Sequence, residues 1–360
     1  GGGGQTSDVT LKDVSIKSDK DAALKVEGDG NVRLELDGKN ELKSGANHAG
    51  VEKNNSDSKG TLTIKDDTGE KGSLTATGGA QGAGIGGAKN NSGSNIEITG
   101  GTITATGGCN NNEAGNGGAA GIGGGFNGSG TDIKITGGTV NATGGEGNDF
   151  YHFGGAGIGG GHHCGANDII ISGNDTKVTA TGKDGGAGIG GGQWGNGTVT
   201  ISGDSKIESA LGGGLSAGIG GGAVGNGTVS ISGNATIENA QGGEDGAGIG
   251  GGYGYGQSGT GDITIEGNTT VNATGGMGSA GIGNGTDAGG NNGQITIRGT
   301  KDSSPTVNAT GGIAEEDGQG YVGPGGAGIG GGSTTDSEYT PVTPQITLEG
   351  KVTIVAKAGE

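Results

Sequence analysis

Gly186-Ala187-Gly188-Ile189-Gly190-Gly191-Gly192 decides the fold, because this phrase returns along the chain with small edits. Its isoleucine reappears as Ile85, Ile122, Ile158, Ile219, Ile249, Ile282 and Ile329, at intervals of about 30 to 47 residues. A weaker copy, Ala49-Gly50-Val51, precedes the first. Self-similarity at such a period marks a repeat architecture, whose single units cannot bury their own apolar faces.

Two further apolar segments follow each phrase. One begins at Ile96, Ile133, Ile169, Val199, Val229, Ile263, Ile295 and Ile346, and the other at Ile103, Val140, Val178, Ile207, Ile237, Val271, Val307 and Val352. Both alternate apolar with polar residues and are divided by Gly, Asn and Asp, the pattern of short strands and turns. Three strands per repeat, each stacked on its copy, predict an all-β fold. It is a parallel β-helix of about ten rungs, right-handed by the general rule for parallel crossovers. Residues i and i+2 of a strand share a side, so Ile263 and Ile265, or Val271 and Ala273, are expected inward, with Thr264 and Asn272 in water. Residues 1–5 read as a disordered lead-in and residues 6–360 as one domain. Within it, 6–58 form divergent first rungs that cover the open end of the stack, and 59–358 the glycine-rich repeats.

Composition narrows the function. The chain has 360 residues, 100 of them Gly but only 4 Pro, and lacks a Gly-X-Y period, which excludes collagen. Hydrophobic content is 27%, enough for the narrow core of a solenoid because it is periodic. Net charge is −18 and the only arginines are Arg33 and Arg298, so nucleic acid and anionic membranes are poor partners. No apolar run is long enough to span a bilayer. The sequence starts at Gly1, its sole methionine is Met277 and it opens on no signal peptide, which reads as a piece of a larger protein.

The text GAGIGGG, followed by Asn95-Ile96-Glu97-Ile98-Thr99-Gly100-Gly101, Ile133-Lys134-Ile135-Thr136-Gly137-Gly138 or Val140-Asn141-Ala142-Thr143-Gly144, resembles the glycine-rich β-helical repeats of large secreted or wall-attached bacterial surface proteins. The resemblance covers roughly residues 60–358 and drifts near Arg298 and Leu348. It implies a pectate-lyase-like fold, which often handles polysaccharide, and an extracellular location.

Alternation within the phrase sends Ala and Ile inward and leaves the glycines between them outward. A strip without side chains results, serving as a tight corner or as a floor for a ligand. The nine aromatics avoid the other two segments; eight border the phrase, and Tyr339 follows one at a greater distance. Phe126, Tyr151, Phe153, His162, His163, Trp194, Tyr253 and Tyr255 are therefore the candidate ligand residues, since rings stack on sugar faces. Rung alignment puts Phe126, His162, Gln193, Ala223 and Tyr253 in one column and Asn127, His163, Trp194 and Val224 in the next.

The expected function is a non-catalytic adhesin or carbohydrate-binding module that meets polysaccharide or a host or matrix glycoprotein. It would act as a monomer or as a dimer pairing two glycine strips. A stalk or spacer is the alternative, with ice binding by the Thr-x-Thr array and polysaccharide cleavage as lesser ones. Cleavage needs paired carboxylates or a metal with a base, whereas Glu244-Asp245 and Glu315-Glu316-Asp317 read as solvated loop clusters. No cofactor is indicated. Loop carboxylates could hold Ca²⁺, and His152, His162 and Cys164 are weak candidates for a metal. Cys109 and Cys164 lie in loops of neighbouring repeats and could form a disulfide.

Overall fold

The computed structural model describes residues 4–67, 71–109, 117–147, 154–314, 324–334, 339–340 and 342–360. Most of the expected lead-in, residues 1–3, lies outside them, as does Glu315-Glu316-Asp317. The described residues contain strands and no helix. The strands form three parallel sheets of 11, 11 and 10 members, and each rung contributes one strand to each sheet in turn. In the first sheet Leu62, Ile96, Ile133, Ile169, Val199, Val229, Ile263, Ile295 and Ile346 succeed one another in register. In the second, Leu74, Ile103, Val140 and Val178 begin a similar column. With rungs about 4.8 Å apart, these columns merge with the phrase isoleucines into one apolar core running along the axis. Burying each Ile or Val contributes roughly 1.5–3 kcal/mol. Alternation holds as expected: Ile263, Ile265, Val271 and Ala273 are buried, while Thr264 and Asn272 are partly exposed.

The divergent first rungs obey the same register. Val51-Glu52 pairs with Ile85-Gly86, and Leu24-Lys25 pairs with Val51-Glu52, an earlier copy that has lost every glycine.

The phrase itself forms the third sheet, and there the strip expectation fails. Each strand is two residues long, Ile85–Gly86 and its successors. Gly86, Gly123, Gly159, Gly190, Gly220, Gly250 and Gly283 have φ between 131° and 140°, which L side chains rarely adopt, so the chain turns away at once. The N–H of Ala83 donates to the carbonyl of Gly87 at 2.9 Å, and the later copies repeat this bond. The phrase is therefore a corner with Ile at its tip. Ala83, Ala120, Ala156 and Ala187 are buried but stand apart from the continuous core that holds the isoleucines.

The glycines are buried too. A Cβ on Gly84 would lie 2.6 Å from Gly121 O and 2.6 Å from Thr106 N. The phrase is glycine-rich because backbone packs on backbone, and no bare floor exists.

A local irregularity interrupts the second sheet. Val178 and Ala180 pair with Ile207 and Ala210, so the strand Lys206–Leu211 carries one extra residue. The next strand, Thr236–Gln241, carries the same bulge, and regular spacing resumes at Val271 and Ala273.

Candidate functional site

A leading loop precedes each phrase and a trailing loop follows it. In most rungs the residue four past the isoleucine donates its N–H to the carbonyl four before the isoleucine of the preceding rung. Thus Phe126 bonds Gln81 at 3.0 Å, His162 bonds Gly118 at 3.1 Å, Ala223 bonds Gly185 at 2.8 Å and Tyr253 bonds Leu215 at 2.8 Å. These bonds tie the two loops together, which accounts for the buried alanines and glycines between them.

The next residue along the trailing loop is left-handed in successive rungs: Asn90 at φ 60°, Asn127 at 54°, His163 at 64°, Trp194 at 63° and Val224 at 58°. Asn tolerates this conformation, but Trp and the β-branched Val rarely do. Backbone bonds to the following rung hold it, from Trp194 N to Ala223 O at 2.6 Å and from Val224 N to Tyr253 O at 2.8 Å. The two columns read from the alignment are therefore real. The first points into the seam between the loops, and most of the second points to solvent.

This division sorts the ring candidates. Phe126 and His162 are buried and stack at 5.3 Å with an interplanar angle of 8°. Burial, helped by the charge of nearby His163 and partly offset by Gln193, pushes the His162 imidazole down to about 3, so it is neutral. These two side chains pack against each other in the seam. His163 lies 3.9 Å from His162 and meets the edge of Trp194 at 6.2 Å, and Trp194 itself is 55% exposed. Beyond Val224, Tyr253 and Tyr255 meet edge to face at 4.5 Å. The Tyr253 hydroxyl donates to Asp287 Oδ2 at 3.0 Å, and burial together with that carboxylate raises its pKa. Tyr255 is exposed, and the Tyr339 ring packs over Gly256, where a Cβ would strike it. Sequence reasoning left Tyr339 remote, because its segment returns across many residues. Tyr151, Phe153 and His152 lie outside the described residues.

The remaining candidates do not assemble. Cys109 and Cys164 are both free thiols, so the expected bridge is not formed. Cys109 is exposed on a leading loop, while Cys164 sits half-buried in a trailing loop, its N–H bonded to Gly161 O at 3.1 Å. Burial raises the Cys164 thiol pKa, which leaves it a poor ligand or nucleophile. Among the described residues, no three of His, Cys, Asp and Glu gather into a metal-binding group. The outward threonines Thr75, Thr77, Thr104, Thr106, Thr179 and Thr181 form the expected array, but the two bulged strands break it.

Sequence reasoning also missed a polar knot in the first rungs. Glu52 and Lys53 stand where later repeats have two glycines, and both are buried. His48 Nδ1 lies 2.7 Å from Glu52 Oε2, and Asn54 Nδ2 donates to Glu52 Oε1 at 3.1 Å. Lys53 Nζ donates to Ser58 O at 2.9 Å, and burial pushes its pKa down to about 8. The signal was the missing glycines after Val51.

The architecture has a counterpart among known families. Residues 133–162, 169–193, 229–253 and 263–286 match the family described as beta helix repeat. With the three parallel sheets, these matches support a β-helix repeat region within a parallel β-solenoid, with which a pectate-lyase-like fold is compatible. No curated protein and no solved structure shows significant similarity to the chain.

Proposed function

We propose that this solenoid is a non-catalytic carbohydrate-binding module of a secreted or cell-surface protein, which engages polysaccharide or a host or matrix glycoprotein. The observation that carries the reading is Trp194, held outward by a left-handed backbone and 55% exposed. His163 on one side and Tyr255 two rungs on continue the row of exposed rings. Aromatic faces presented on a rigid scaffold suit sugar rings, whose axial C–H groups are apolar and whose edges are polar. The site is thus a ridge along the trailing loops rather than a floor over the phrase. A glycan array read with the wild type and with Trp194→Ala tests it: binding by the first and loss in the second is expected, and no binding to any glycan contradicts it.

A rigid spacer is the second reading, favoured by the parallel backbone pairing of each rung with the next. It predicts the same stability for Trp194→Ala and no glycan dependence.

A further inference from the structure

The most irregular part of the solenoid is also where a groove opens. The outward column at the end of the second-sheet strands reads Thr106, Thr143, Thr181, Leu211, Gln241, Thr274 and Thr310. Between Thr106 and Thr310 threonine gives way at Leu211 and Gln241 alone, which end the two bulged strands. The leading loops that follow are short, and they carry Gly212 to Gly214, then Gly242, Gly243 and Glu244. A groove of about 610 Å³ runs across these rungs, lined by Leu211, Gly214, Gln241, Gly243, Glu244 and Met277 among others. That volume lies within the range of ligand sites. Aligned bulges in an otherwise regular sheet re-aim side chains, and they favour functional sites.

The lining indicates the occupant. Leu211 and Met277 offer apolar contact, and Gln241 offers both a donor and an acceptor. Charge is one-sided. Glu244 is exposed at the groove and forms no ion pair with any described residue. Glu208 and Glu238, earlier on the two bulged strands, share one cation, Lys206, at 3.9 and 2.8 Å. An anionic uronate chain would be repelled, whereas a protonated amine finds an open carboxylate.

We propose that this groove binds an amino-sugar oligosaccharide, with sugar faces on Leu211 and Met277 and a ring ammonium on Glu244. The proposal rests on the glycan-binding reading above and gives it a second surface, on the leading-loop side, with a defined charge preference.

Calorimetric titration with a glucosamine hexamer, its fully N-acetylated form and a galacturonate hexamer tests it. The glucosamine hexamer should bind most tightly, and Glu244→Gln should abolish its advantage over the N-acetylated form. The double variant Leu211→Thr/Gln241→Thr restores the residue that neighbouring rungs carry, so it keeps the fold, and it should weaken glucosamine binding by at least ~10-fold. Binding that is unchanged in both variants but lost in Trp194→Ala overturns the groove and leaves the ridge standing. Binding to none of the three, with a glycan array also blank, removes both.

Discussion

The backbone N–H of Phe126 donates to the carbonyl of Gln81 in the preceding rung, 3.0 Å away. Repeated by His162, Ala223 and Tyr253, this bond joins trailing loops to the leading loops of the rung before and explains why glycine dominates there. Two stacked loops and a corner leave no room for a Cβ. The glycine content is a packing requirement, and recognition falls to the side chains that the loops throw outward.

Gly191 and Gly331 test the packing claim, because they hold the same place in their phrases and neither has a positive φ. A Cβ on Gly191 would overlap Gly195 O, whereas the nearest atom to one on Gly331 is Val342 O at 3.4 Å. Gly191→Ala should cost at least ~2–3 kcal/mol, and Gly331→Ala should stay within ~0.5 kcal/mol. Denaturant unfolding of both variants checks this, and equal losses would contradict it.

Buried Lys53 gives an alkaline signature. Its folded pKa, about 8, lies below its ordinary value of 10.5, so the unfolded chain binds more protons between those limits. Stability should therefore rise with pH across that window, by at most ~3 kcal/mol. Lys25 is held above its ordinary range by its bond to Glu27. Its contribution is present below about pH 10.5 and is lost above it. Lys53→Met should flatten the rise between pH 8 and 10.5 in melting temperatures. A rise that persists in the variant would assign it elsewhere.

His162 acts at the acid end. Its pKa falls from 6.5 unfolded to about 3 folded, so the folded protein must keep it neutral. Its cost appears as pH falls below 6.5 and grows toward 3, reaching roughly 3–5 kcal/mol at the limit. His162→Phe, which copies the ring stacked on it, should lose less stability than wild type between pH 6 and 4. Parallel curves for the two proteins would show that His162 is not neutral by burial.

Most of the fold was legible in the sequence, because a solenoid repeats its instructions. The columns through Ile96, Ile103 and Ile85 could be read from period-two alternation and spacing alone. Ala83 and Gly84 could not, because the alternation rule assumes a continuing strand. The φ of 134° at Gly86 and the Ala83–Gly87 bond end that strand after two residues. Loop alignment placed His163 and Trp194 in the right column, but periodicity does not say whether a loop residue faces the seam or the solvent. Phe126 and Trp194 therefore looked alike in sequence and differ in structure. The bulges left a faint trace as one extra residue, Glu208 or Glu238, between the inward Ile and Ala.

The central claim is that the ridge around Trp194 meets sugar, and the protein carries its own reporter, since Trp194 is its only tryptophan. Titrating the wild type with the glycans that score on the array while following Trp194 emission is the most direct measurement. The account predicts a saturable blue shift as a ring leaves water, with an affinity that falls in His163→Ala and Tyr255→Ala. Saturable binding with no change in Trp194 emission, or no binding at all, would contradict it.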